Sequence, residues 1–474
     1  MNDSVRYFLP EESLPKAWYN IVADFPKPPP PALHPGKRRP IEPSDLALFF
    51  PPTLIEQELS VERYIEIPES VLAIYRQFRP SPLVRARQLE RVLNTPARIY
   101  FKYEGNNPSG SHKINTAVPQ VFYNKEAGKK RIVSETGAGQ WGSSLAYAGA
   151  LFGMNVQVFM VRVSYEQKPY RQALMETYGA RCVISPSTET AAGRAVLKQH
   201  PDSLGSLGIA ISEAVEMAVA HDDTNYALGS VFNHVLLHQT VVGQEAMLQL
   251  EMAGDPPDIL IACAGGGSNL AGFAFPFMGA ELRGGRRMRI IAVEPTSCST
   301  LTRGRYAYDF GDTARLTPLM KMHTLGSSFM PPGSHVGGLR YHGMAPLVSY
   351  AKELGLIEAR AYPQRACFAA GITFARTEGI IPAPESTHAI RAAIDEALRC
   401  KEEGRSRTIV FNLSGHGHFD MTAFSEYLKG NMQDLDLDEK ELAKSLAALP
   451  AVAEPARVMV PAEDISNYKL SAKN

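Results

Sequence analysis

Ile259-Leu260-Ile261-Ala262-Cys263-Ala264-Gly265-Gly266-Gly267-Ser268-Asn269-Leu270-Ala271-Gly272 is the stretch on which the fold turns. Its apolar half reads as a strand, its glycines as a sharp turn, and the residues after them as the start of a helix. A strand without polar alternation is covered on both faces, the habit of parallel sheets flanked by helices. Working outward, apolar runs at 97–103, 131–134, 156–163, 181–185, 289–293 and 408–413 repeat the pattern, with helical stretches between most of them. The alternation predicts an α/β chain folded as two doubly wound lobes with mostly parallel sheets. Residues 1–79 are expected to form an arm and helices packing on the lobes, 80–240 the N-terminal lobe, 241–430 the C-terminal lobe and 431–474 a peripheral tail. The break between lobes falls in 241–258, where a helix ends at Gly254 and Asp255-Pro256-Pro257 precedes the quoted strand.

Composition narrows the function classes. Among the 474 residues, Lys plus Arg and Asp plus Glu each number 49, so no global field draws the chain to nucleic acid or an anionic membrane. Hydrophobic residues at 45% and charged ones at 21% match a globular protein and exclude bulk disorder. The five cysteines are scattered without Cys-x-x-Cys spacing and read as reduced thiols of a cytoplasmic protein. Residues 1–10 lack a basic-then-apolar leader, and no run reaches the ~18 apolar residues of a membrane span. Pro28 to Pro31, with Pro35, Pro40 and Pro43, resist helix and central strand. An ordered arm wrapping a lobe is expected there, and a free linker is the alternative that composition leaves open. Leu442, Leu446 and Leu449 ahead of Pro450 predict one short helix in the tail.

Four segments could carry chemistry. In Glu104-Gly105-Asn106-Asn107-Pro108-Ser109-Gly110-Ser111-His112-Lys113, a lysine closes a turn between strand and helix, but Ser111 and His112 part it from Gly110, so a P-loop does not fit. A partly desolvated lysine at a fixed point suits a Schiff base, although taken alone Lys113 fits a surface lysine as well. Gly265-Gly266-Gly267 ahead of a helix invites a phosphate, and Leu270 breaks the dinucleotide fingerprint; a turn that binds nothing stays open. Glu135-Thr136-Gly137-Ala138-Gly139-Gln140-Trp141-Gly142 offers backbone donors for a carboxylate, with Glu135 as an acid/base at its edge. In Asn412-Leu413-Ser414-Gly415-His416-Gly417-His418, Ser414 could meet a heteroaromatic nitrogen. His234 and His238 stand at helical spacing without the glutamate of a zinc protease, so no metal site is assigned. Gly337-Gly338-Leu339-Arg340-Tyr341-His342-Gly343 fits a mobile loop beside a ligand and an ordinary solvent loop equally.

In this order, the segments resemble the tryptophan synthase β chains, pyridoxal-phosphate enzymes of fold type II. The resemblance runs from Ser81-Pro82-Leu83 through 105–115, 135–142, Gly229-Ser230, the glycine turn and Glu378-Gly379-Ile380-Ile381-Pro382 to 413–417. Gln140-Trp141-Gly142, Gly338-Leu339-Arg340-Tyr341-His342, Ser164 to Tyr170 and Asn233 to Thr240 are similar to the second, divergent class of these chains. The resemblance implies that Lys113 carries pyridoxal 5′-phosphate and shuttles the Cα proton. His112, Ser230, Gly265, Gly266, Gly267, Ser268 and Asn269 would hold the phosphate, and Gln140 would also touch the cofactor. Ser414 would face the pyridine nitrogen with Glu378 nearby, and a neutral hydroxyl there leaves the ring unprotonated, favouring β-elimination and β-replacement over transamination. Thr136, Gly137, Ala138, Gly139, Gln140 and Trp141 would take the substrate carboxylate, and Glu135 would act in acid/base steps and position indole. Arg340 stands where the common class has an aspartate, which reverses charge near the departing hydroxyl and places this residue with the substrate.

The implied activity is a lyase reaction of tryptophan biosynthesis, the replacement of the L-serine hydroxyl by indole to give L-tryptophan and water. A homodimer is implied; a tryptophan synthase α chain as partner and a monovalent cation are left open. Two other readings compete. A serine or threonine deaminase would use the same cofactor and release ammonia and a keto acid, and a pyridoxal-phosphate-binding partner protein would show no turnover.

Overall fold

The quoted strand is the middle of the molecule. Ile259–Cys263 is buried throughout and pairs in parallel with Arg289–Pro295 on one side and Thr408–Leu413 on the other. The structure, a computed structural model, describes residues 4–452. Seven strands form the large sheet, in the order Arg6–Tyr7, Leu83–Arg85, Arg98–Tyr103, Thr408–Leu413, Ile259–Cys263, Arg289–Pro295 and Glu358–Tyr362, with only the joins to Leu83–Arg85 antiparallel. A second sheet of four parallel strands runs Arg181–Ser185, Asn155–Val161, Arg131–Thr136, Thr224–Tyr226. Helices cover the faces, as the unbroken apolar strands require, and the fold is the α/β architecture with mostly parallel sheets read from the sequence.

One expected boundary moves. Leu83–Arg85 and Arg98–Tyr103 fall inside 80–240 yet belong to the large sheet, because Ile99 and Phe101 lie in register with Ile409 and Phe411 and share their apolar cluster. Local pattern marks a strand but not its partner, so a sheet that joins distant segments is invisible to it. The consequence is topological: the chain leaves the large sheet at Tyr103 and enters the Ile114–Glu126 helix beside the small one, so Lys113 lies at the crossing.

The proline arm is docked. Leu33 exchanges main-chain hydrogen bonds with Leu319 at 2.8 and 2.9 Å, on the edge of an antiparallel hairpin, Arg305–Phe310 with Leu319–Thr324, that the sequence reading missed. Further along, the Phe49 carbonyl accepts the Tyr226 N–H at 3.1 Å, which ties the arm to the edge of the small sheet. In the tail, Glu439–Ala447 is helical, capped by Asp438, with Leu442 packed near Cys298, Leu325, Phe329 and Leu437. Residues 453–474 of the expected tail lie outside the described residues. Among the described residues, no helix is long and apolar enough to cross a membrane.

Beneath the crossing lies a buried group of charges. Arg79 donates to Glu104 Oε2 at 2.9 Å, to Asn115 Oδ1 at 2.8 Å and to both Glu245 oxygens at 2.9 and 2.8 Å. Lys102 Nζ donates to Glu245 Oε2 at 2.6 Å and to Gln249 Oε1 at 2.8 Å. Burial alone would raise the Glu104 carboxyl, but Arg79 and Lys102 hold it at about 2. Removing one member strands the others without compensation, so Glu245→Ala is expected to cost roughly 3–5 kcal/mol of stability. Chemical denaturation measures this, and a loss below about 1 kcal/mol, the range of an exposed pair, would show that the group does not act as a unit.

Candidate active site

Asn107 shapes the turn that delivers Lys113. Its amide donates to the carbonyls of Glu104 at 2.7 Å and Ser111 at 3.0 Å, while its oxygen accepts the N–H groups of Ser109 and Gly110 at 3.1 and 3.0 Å. Such local bonding is why asparagine favours turns. The His112 N–H then donates to the Ser414 carbonyl at 2.9 Å and locks the turn to the end of Thr408–Leu413. Lys113 Nζ donates to the Gly229 carbonyl and, at 2.9 Å, to Ser268 Oγ. Burial pushes its amine down to about 8 against the upward pull of Glu135, so roughly a tenth of it is neutral at pH 7, far more than of an ordinary lysine.

The three glycines are required by close approach. A Cβ at Gly265 would stand 2.2 Å from the Gly338 carbonyl oxygen, one at Gly266 2.6 Å from Ser230 Oγ, and Gly267 has φ of +103°. Gly267 caps the Ser268–Leu282 helix, whose first N–H groups and positive end face the turn. Ser230 Oγ accepts the Ser268 N–H at 3.1 Å. Its neighbour Val231 has φ of +80°, a costly region for a β-branched residue. Asn269 braces the turn from within, donating to the Cys263 carbonyl at 2.9 Å and accepting from Asn412 at 2.6 Å.

Opposite Lys113, Arg131–Thr136 carries Glu135 one residue before its end, and the chain then opens into the Gln140–Phe152 helix. Gly139 has φ of +90°, and Thr136 Oγ1 accepts the Gly142 N–H at 3.2 Å, so the N–H groups of Gln140 and Trp141 ahead of it are left for a ligand. Burial pushes the Glu135 carboxyl up to about 7, while the Tyr226 hydroxyl, donating at 2.6 Å, and Lys113 pull it back. The Trp141 indole N–H donates to Ser134 Oγ at 2.7 Å, so Trp141 serves as wall, with its polar atom already used. A cavity links these groups, with Lys113, Glu135, Thr136, Gly137, Ala138, Gln140, Ser230 and Gly266 at its polar end. Its other end is apolar: Phe49, Phe50, Ile211, Val215, Leu228, Phe232 and Met320.

The remaining expected residues sort less evenly. Ser414 Oγ lies 2.8 Å from Ser386 Oγ and 3.7 Å from Cys263 Sγ. His112 has Nδ1 3.3 Å from the Ser414 carbonyl and a buried Nε2 without a protein partner; burial and Lys113 push its ring to about 3, so it is neutral. Glu378 is a correction: it ends the Gln364–Glu378 helix, where its Oε1 accepts the Leu89 N–H at 2.7 Å, away from the cavity. The glutamate at the site is Glu385, which accepts from Gln140 Nε2 at 3.0 Å and the Gly338 N–H at 2.9 Å. Pro382-Ala383-Pro384 directly before it was the available signal, since proline pairs precede helix starts. Arg340 is buried and donates to Ser164 Oγ, opening on a separate small pocket with Gly137, Gly337 and Ser206, whereas Gly337, Gly338 and Tyr341 line the main cavity. His234 meets Glu58 at 2.8 Å, and His238 meets Gln57 and Thr116 at 2.8 and 3.0 Å. Tyr226, Phe49 and Phe50 were not anticipated, because a three-residue strand and a proline-rich arm give no periodicity to read.

Comparison with known proteins gives three findings. The family model described as pyridoxal-phosphate dependent enzyme matches residues 74–415. The chain is 58% identical over 416 residues to the tryptophan synthase beta chain 2 of Thermotoga maritima, covering 88% of this chain and 98% of that one. It is 56% identical over 437 residues to the beta chain 2 of Aeropyrum pernix (92% and 97% covered) and 54% identical over 431 residues to that of Methanosarcina mazei (91% and 98%). Among solved structures, a fungal L-serine ammonia-lyase from Rhizomucor miehei superposes with a TM-score of 0.55 at 15% identity, covering 75% of this chain and 99% of that chain, a likeness of fold.

An amine near pKa 8 is about half neutral at pH 8, whereas an ordinary lysine near ~10.4 is almost wholly charged there. Reductive methylation at pH 8, on protein freed of bound carbonyl compounds, is therefore expected to modify Lys113 ahead of surface lysines. Peptide mass spectrometry reads the order, and labelling of Lys113 at the bulk rate would overturn the assignment of a neutral amine.

Proposed function

This chain belongs to the pyridoxal-phosphate dependent enzymes and, among them, to the tryptophan synthase β chains, and we propose that its central cavity is where indole replaces the hydroxyl of L-serine to give L-tryptophan and water. The observation that carries the reading is the pairing of an amine made partly neutral at Lys113 with a carboxyl near neutrality at Glu135, across a cavity that continues into an apolar chamber. An apolar bicyclic nucleophile with one N–H matches that chamber and that carboxyl.

The residues present fit the cofactor. The glycine turn caps the N-terminus of a long helix, where the first N–H groups and the positive helix end suit a phosphate, with Ser230 and Ser268 beside it. Lys113 reaches Ser268, within one hydrogen bond of that turn. Ser414 offers a hydroxyl whose side-chain partners among the described residues are Ser386 Oγ and Cys263 Sγ, neither of them a carboxylate. When bound, pyridoxal phosphate withdraws electrons from the amino acid Cα, which lets the Cα proton and the β-substituent depart.

The chain's own groups do the rest. The first N–H groups of the Gln140–Phe152 helix, with the Thr136 to Gly139 turn, hold the serine carboxylate. Lys113 Nζ takes the Cα proton and returns it at the end. Glu135, poised near 7, gives its proton to the departing hydroxyl, which leaves as water. As a carboxylate it then accepts a hydrogen bond from the indole N–H and takes up the proton that indole C3 loses on bonding to the serine β-carbon. These tasks need a carboxyl able to change state at neutral pH. Glu385 ties Gln140 to Gly338 and so joins the substrate loop to the opposite wall. Phe49, Phe50 and Phe232 line the chamber against water and give the ring an apolar seat. A homodimeric, cytoplasmic enzyme is the assembly and compartment of this reading, with an α chain as a candidate partner and a monovalent cation as a candidate second cofactor; sedimentation of the chain alone and with an α chain tests the first and third.

Purified protein given pyridoxal phosphate, L-serine and indole is expected to form tryptophan, detected by chromatography. Lys113→Ala should lower the rate by at least about 10³-fold, and Glu135→Gln by about 10²-fold or more, the usual yield of a positioned acid/base. Pyruvate and ammonia from serine, with indole untouched, would replace this reading with a deaminase.

A further inference from the structure

We infer that Tyr226 is the positioning residue of Glu135: its buried hydroxyl pins one carboxylate oxygen against the small sheet and leaves the other to meet the substrate. The inference deepens the reading of Glu135 given above and rests on it.

The geometry begins in the backbone. Thr224–Tyr226 pairs in parallel with Arg131–Thr136, with Tyr226 opposite Val133. Val133 and Glu135 share a face of their strand, so Tyr226 projects on the same face and one diagonal step from Glu135. Its hydroxyl donates to Glu135 Oε2 at 2.6 Å. The next donor, Ser134 Oγ, is 3.5 Å from the same oxygen and also donates to the Ala227 carbonyl. Among the described residues, the donors that other side chains bring to Glu135 go to Oε2, and Glu135 lines the cavity. One oxygen is thus anchored and the other is free for chemistry.

The anchor is itself held. Tyr226 is 3% exposed, its N–H donates to the Phe49 carbonyl at 3.1 Å, and its ring packs 6.2 Å from that of Phe50. The titratable groups that face the pair are Lys113, at the head of the Ile114–Glu126 helix, and Tyr341 and Asp312 from the C-terminal half. Burial and the neighbouring Glu135 keep the phenol far above its ordinary range, so it remains a donor throughout the working pH. A hydrogen bond to the charged form favours that form, so the phenol lowers the Glu135 carboxyl, and its loss must raise it further above about 7.

Tyr226→Phe keeps the ring and removes the donor. Without serine present, equilibrium binding of indole is expected to weaken as Glu135 protonates. Tyr226→Phe should move the midpoint of that pH dependence upward by about half a unit or more. With serine, kcat at pH 7 should fall about 10- to 100-fold, the worth of a hydrogen bond to a charged group, while KM for serine changes little. In a Glu135→Gln background the same change should add almost nothing. Incorporating 3-fluorotyrosine at position 226, whose more acidic hydroxyl donates more strongly, should move the midpoint the other way, and this readout survives even if the phenylalanine variant folds poorly. An unmoved midpoint with kcat within about twofold, or losses that add in full to those of Glu135→Gln, would overturn the inference. Wild-type protein that makes no tryptophan would instead sink the reading of the reaction.

Discussion

One guanidinium ties the turn that delivers Lys113 to the helices on either side of it. Arg79 reaches Glu104 on the turn leaving the large sheet, Asn115 in the first turn of the next helix, and Glu245 on a helix from the other half of the sequence. Lys113 lies between Glu104 and the helix that Asn115 belongs to, so any slack in these bonds would be slack in the position of its amine. A planar fork with several donors suits this task better than an ammonium, and full burial makes the arrangement all or nothing, because a missing partner leaves charge without water.

The same low-dielectric setting supplies the site's reactivity. Withdrawal from water disfavours whichever form is charged, so it lowers the lysine and raises the glutamate. Two groups that at a surface would be firmly cationic and firmly anionic are each brought within reach of the opposite state. No metal or special residue type is needed for this shift. It follows from enclosing both groups in an apolar chamber and giving each only a few partners.

Much of this was legible in the sequence, and the losses have physical reasons. Strands that are apolar throughout announced themselves, and the quoted stretch gave strand, turn and helix correctly because each local preference agrees with the fold. Lys113, the glycine turn, Glu135 and Ser414 were candidates from their residue types, and the family resemblance chose among the readings those types left open. What escaped was partnership. The run at 97–103 was assigned to the N-terminal lobe because its pairing with Thr408–Leu413, hundreds of residues away, leaves no local trace, and the short strand Leu83–Arg85 was not read at all. Glu378 was named and Glu385 was not considered; both lie near the same proline segment, and only the helix that starts after it decides which one faces the site. Tyr226 stands in a strand too short to show a pattern, and its value lies wholly in what it touches.

The docked arm bears on how the protein comes to exist. Synthesis proceeds from the N-terminus, and Leu33 emerges from the ribosome long before Leu319, its hydrogen-bond partner, has been translated. During that interval the segment can neither coil into a helix nor recruit a stray strand, since its prolines lack N–H groups and fix an extended backbone. The stretch that later closes one wall of the chamber is thus inert while the nascent chain is still incomplete, and the chamber is finished only after the hairpin that receives the arm has appeared.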